Sequence, residues 1–132
     1  MLTALYAAFL GTFMVVLATR VIALRGNPIF AFFRFASDGD EALERAIRGH
    51  GNLTENAPIF LILLLVAEHA QSPTWLLHAS AICFCLGRLM HGILFCFLKK
   101  SIPLRIGGMA FTFTGILVLC GVNAWAWAQN PA

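Results

Sequence analysis

Charge is what this sequence has least of. Only 11% of its 132 residues are Asp, Glu, Lys or Arg, against about 25% in average soluble chains. With 60% hydrophobic residues and a mean hydropathy of +0.83, so short a chain cannot hide its apolar surface in a soluble fold, because its surface-to-volume ratio is too high. Tyrosine occurs once, at Tyr6, and no basic residue precedes Arg20 or follows Arg105. The absence of a positive n-region argues against a secretory signal peptide and for a retained first membrane span. Cys83, Cys85, Cys96 and Cys120 form no CxxC pair, so they read as buried thiols and not as a disulfide frame. The histidines show no HxxxH or HxH spacing, and no metal site is expected.

What is present is four long apolar runs. A bilayer core needs roughly 20 mainly apolar residues per helix, and the pattern predicts an all-α integral membrane protein. Its single domain, residues 1–132, is a bundle of four transmembrane helices at about 2–24, 41–70, 75–98 and 105–128. Gly26-Asn27-Pro28 ends the first helix, with Arg20 and Arg25 placed to snorkel. Residues 29–35, IFAFFRF, read as an interfacial segment or loop, with Arg34 as an anchor. The second helix is polar from Glu41 to Asn56 and wholly apolar from Ala57 to Ala67, with Pro58 expected to kink it. Residues 68–74 make a short turn, and residues 99–103 make the last loop.

Basic residues gather in the first and third loops, while the second loop and both termini carry none. The positive-inside rule therefore places both termini outside the cytoplasm. Tyr6, Trp75, Trp125 and Trp127 all fall at the opposite interface, where an aromatic belt is expected.

At about 100° per residue, Arg45, Arg48, Asn52 and Glu55 lie within about 80° of one another, and His50 lies about 140° from Arg45, where it could serve a neighbouring subunit. Arg88 and His91 share a face one turn apart, and Arg105 opens the last helix. Ionisable groups at membrane depth cost a few kcal/mol and face the bundle interior or a wet cavity. The bland alternative is an Arg88–Glu55 ion pair that fixes the bundle. The whole set instead suits a small anion with several carboxylates, which guanidinium groups grip bidentately.

Residues 44–58, ERAIRGHGNLTENAP, resemble the helix-2 signature of the membrane-associated proteins in eicosanoid and glutathione metabolism, the MAPEG family. Residues 87–92, GRLMHG, are similar to its helix-3 motif, and residues 104–109, LRIGGM, to the start of its fourth helix. Short bacterial members resemble this sequence most. The resemblance implies a multi-pass protein of the bacterial inner membrane, a homotrimer binding glutathione between neighbouring subunits near the cytoplasmic face. It further implies transferase or peroxidase chemistry on hydrophobic electrophiles that arrive from membrane lipid, with no metal and no nucleic acid. Arg48, Asn52 and Glu55 would bind glutathione, joined by Arg25, His50, Asn56, Arg88 and His91, and Arg105 matches the arginine assigned to the thiol. Well-studied members carry helix-3 tyrosines where this chain has His91 and Phe95. Two other readings compete. One is a non-enzymatic membrane protein holding a lipid or other anion. The other is a small transporter, which would need a buried acid that helices 1 and 4 lack.

Overall fold

The computed structural model describes residues 1–35, 39–98 and 101–129. Among them the chain is helical, with no strand, and four helices are long and apolar enough to cross a membrane. They are α1 (Leu2–Leu24), α2 (Asp40–His69), α3 (Thr74–Phe97) and α4 (Ile102–Gln129), with a 3-10 turn at Ala31–Arg34 between α1 and α2.

The boundaries follow from local chemistry. At the end of α1, Gly26 takes a φ of +98°, and the Gly26 and Asn27 amides donate to Ala23 and Ile22 carbonyls at 3.0 and 3.4 Å. This is the Schellman arrangement, for which a residue without Cβ is best suited. The end of α2 repeats it with Gln71 at φ +55°, its amide donating to Glu68 O and that of Ser72 to Ala67 O, both at 3.1 Å. Helix α4 begins at Ile102, earlier than the sequence suggested. Pro103 falls in its first turn, where a missing N–H costs nothing. Helix α2 runs unbroken through Pro58 to His69, so Glu68 belongs to the helix and not to the turn. Its carboxylate accepts the backbone N–H groups of Leu2 and, at 2.9 Å, of Thr3. The last turn of α2 thus caps the start of α1 with a charge that suits the helix dipole.

The helices meet through narrow seams. A Cβ built on Gly87 would sit 2.6 Å from Thr112 Oγ1 and 2.8 Å from Gly108 O, so α3 and α4 pack backbone to backbone there. Small residues permit that approach where no hydrophobic force drives helices together. In α2 the buried positions Ala42, Ala46, Gly49, Leu53, Phe60, Leu64 and Ala67 form one stripe. Phe60 of α2 stacks on Phe84 of α3 with ring centroids 3.9 Å apart.

Three side chains read as interfacial turn inward. Tyr6 is buried, and its hydroxyl lies 2.8 Å from His78 Nδ1. It is therefore part of the helix packing, whereas Trp75, Trp125 and Trp127 remain exposed as a belt requires. Arg20 is fully buried. Arg34 donates to Ala23 O at 2.8 Å and to Asn27 O at 3.0 Å, serving the carbonyl end of α1.

Candidate polar node and cleft

Arg88 is the centre of the buried polar chemistry. It sits on the face of α3 that meets both α2 and α4, and only 2% of its surface is exposed. Its Nε donates to Thr112 Oγ1 at 3.0 Å, and Nη2 reaches the same oxygen. Nη1 donates to the Asn52 side-chain oxygen and, at 3.2 Å, to the Asn52 backbone carbonyl. The Thr112 hydroxyl itself donates to Gly108 O at 2.7 Å, and the guanidinium carbon lies 5.6 Å from the Phe84 ring centroid. All these partners are neutral. Each of its three nitrogens is thus hydrogen-bonded, but the cation is not neutralised by these partners, and it adds positive potential to the interior.

The proposed structural pair with Glu55 does not form. Arg88 spends its donors on Asn52 and Thr112, while Glu55 is exposed on α2. One turn beyond Arg88, His91 is buried against Phe95, with ring centroids 5.0 Å apart. Neither of its ring nitrogens has a hydrogen-bond partner among the described residues.

A second feature lies where α3 ends and α4 begins. A cleft of about 660 Å³ is lined by Arg45, Leu94, Phe95, Ser101, Ile102, Pro103 and Arg105. Four apolar side chains, Ser101 and arginines from two helices line it. Arg45 also approaches Glu41 at 3.6 Å. The size falls within the range of about 300–1,000 Å³ typical of small-molecule sites.

The candidate residues thus divide. Arg105 lines the cleft, while Asn52 and Arg88 form the node beside His91. Arg48 and Glu55 are exposed on the outer side of α2, where Arg48 pairs with Glu44 at 2.6 Å. His50 is half-buried, and Asn56 turns back to donate to Asn52 O at 2.8 Å. Arg25 is exposed at the C-cap of α1. The α2 stripe therefore straddles the edge of the bundle, with some members facing in and others out, and does not fill one hollow within it. Sequence reasoning missed Thr112. Its one available signal is spacing: it stands seven residues after Arg105, on the same stripe of α4.

Comparison with known proteins agrees with this architecture. The chain is 32% identical over 125 residues to the protein named inner membrane protein YecN of Escherichia coli (strain K12), covering 95% of this chain and 92% of that one. The protein of the same name from Escherichia coli O6:H1 matches to the same extent. No solved structure matches. Four spans and these relatives make it a multi-pass inner-membrane protein. The sequence profile of the MAPEG family matches residues 3–125, and on that near-complete match the chain belongs to the MAPEG family.

Proposed function

We propose that the protein binds glutathione at the end carrying its basic loops, taken as the cytoplasmic side, and uses the thiolate to conjugate or reduce hydrophobic electrophiles. The observation that carries this reading is the cleft, where Arg45, Arg105 and Ser101 join four apolar side chains in lining a hollow of about 660 Å³. Outward placement of Arg48 and Glu55 supports a site completed by a neighbouring copy, as in a homotrimer. Asn52, held by Arg88, lies on the same stripe of α2, and the half-buried His50 lies on another face. Arg25 lies outside the proposed set.

The chemistry asks little of the protein. A free thiol titrates near pH 8.5, and a guanidinium in a poorly hydrated pocket favours the nucleophilic thiolate. Lowering that value by about two units needs only roughly 2.7 kcal/mol. In this reading Arg105 supplies the stabilising charge, Arg48 and Glu55 hold the tripeptide's carboxylate and amine, and the apolar walls receive the electrophile.

The test is glutathione binding by calorimetry with simultaneous ultraviolet detection of thiolate, on protein in lipid nanodiscs. Binding and thiolate should both appear. Arg105→Ala should abolish the thiolate and largely spare binding, while Glu55→Gln should weaken binding itself. Absence of both signals from the unmodified chain would remove the proposal. The apolar walls of Leu94, Phe95, Ile102 and Pro103 favour one competing reading, a non-enzymatic site for a lipid or another amphipathic anion. Native mass spectrometry showing a co-purified lipid, together with no conjugation of electrophiles, would establish that instead.

A further inference from the structure

The segment joining α1 to α2 is unusually apolar for a loop: residues 28–35 read PIFAFFRF. Ile29, Phe32 and Phe35 leave 75%, 67% and 57% of their surfaces exposed. A cluster of large exposed apolar side chains marks a contact surface.

This segment is also firmly held. Arg20 of α1 donates to the carbonyls of Phe33 and, at 2.8 Å, of Phe35. Arg34 of the segment reaches back to Ala23 O and Asn27 O. Phe33 and Phe35 pack on Phe97 of α3 with ring centroids 6.4 and 5.8 Å apart. Both arginines thus aim inward, and the outer face is left to apolar side chains. Height follows from α1. Its 23 residues rise about 34 Å, enough to cross a hydrocarbon core of about 30 Å. The segment after Gly26 therefore stands where hydrocarbon meets headgroups. Arg25, exposed at the α1 cap, offers a cation at the same height.

We propose that residues 28–35 form a fixed interfacial wedge whose partner is an acidic phospholipid, with acyl chain against Ile29 and Phe32 and phosphate toward Arg25. An apolar face beside a cation is the combination that binds the headgroup boundary of an anionic leaflet. This inference rests on the membrane reading and is independent of glutathione.

The test replaces Trp75, Trp125 and Trp127 by phenylalanine and adds Phe32→Trp, giving one indole on the wedge. The variant is placed in vesicles of phosphatidylcholine and phosphatidylglycerol brominated near the headgroup. Far-ultraviolet circular dichroism checks that its helices are intact. Bromolipid should quench the indole, aqueous iodide should not, and brominated phosphatidylglycerol should quench better than its zwitterionic counterpart. Adding Arg25→Gln should lower that lipid preference by up to about fivefold. Quenching by iodide alone would place the segment in water and overturn the wedge. Quenching by neither agent would mean that a second copy covers it, with the same consequence. Equal quenching by the two lipids with Arg25 present would overturn the acidic partner.

Discussion

Two guanidinium groups are enclosed in this bundle, and they are solvated in opposite ways. Arg20 is buried where α1 meets the 3-10 turn and the end of α3, and its hydrogen bonds run to the backbone carbonyls of Cys96, Phe33 and Phe35. Phe35 and Phe97 lie 5.1 and 5.5 Å from its charged carbon. Arg88, by contrast, binds Asn52 and Thr112 through their side chains, with one further bond to the Asn52 carbonyl. A charge in a low-dielectric interior must find such donors' partners or be expelled. The first solution fastens chain segments together and depends on where the backbone runs. The second depends on which side chains three helices bring to one point, so single substitutions can retune it. That difference assigns Arg20 to architecture and Arg88 to the electrostatics of the bundle interior.

Substitutions can break the contrast. The largest effect should come from Arg20→Ala, which orphans three carbonyl interactions and frees the 3-10 turn. A loss of about 3–5 kcal/mol is expected, read by denaturant titration in bicelles, with proteolysis beginning in residues 26–35. Protection of that segment equal to the unmodified chain would show that the arginine does not fasten it. Thr112→Val keeps shape and deletes the acceptor for Arg88. It should cost about 1–3 kcal/mol and leave the segment's protease protection unchanged, because the two nodes share no partner. Phe97→Leu removes one of the rings flanking Arg20 and should cost about 0.5–1.5 kcal/mol, seen as a lower melting temperature. Gln71→Gly, at the far end, relieves the left-handed backbone of a non-glycine residue. It should add about 0.5–1 kcal/mol without altering either node, giving a baseline for the other three.

Much of the architecture was legible because it follows from local rules. Leu2–Leu24 emerges from hydropathy and the Gly26 stop alone, and the other helix ends lie within a few residues of expectation. What spacing does not show has a common cause. Arg20, Arg34 and Tyr6 lie near helix ends, where charge and aromaticity favour an interface, but that position does not say which way a side chain turns. Their inward turn depends on carbonyls and a histidine presented by other elements, which one-dimensional spacing does not contain. Helical angles did bring Arg45, Arg48, Asn52 and Glu55 to one side of α2. They could not say that the buried stripe of Ala42, Ala46, Gly49 and Leu53 would divide them between interior and exterior.

By itself the sequence determined four membrane-crossing helices, their order, and the end at which cationic groups collect. Those follow from apolar run length, turn-forming residues and the cost of placing charge in hydrocarbon, all counted along one chain. Only the tertiary structure decided which cations are sealed among carbonyls and hydroxyls and which face the cleft. That depends on neighbours distant in sequence, such as Thr112 against Arg88, brought within hydrogen-bonding reach because Gly87 lets two helix backbones nearly touch.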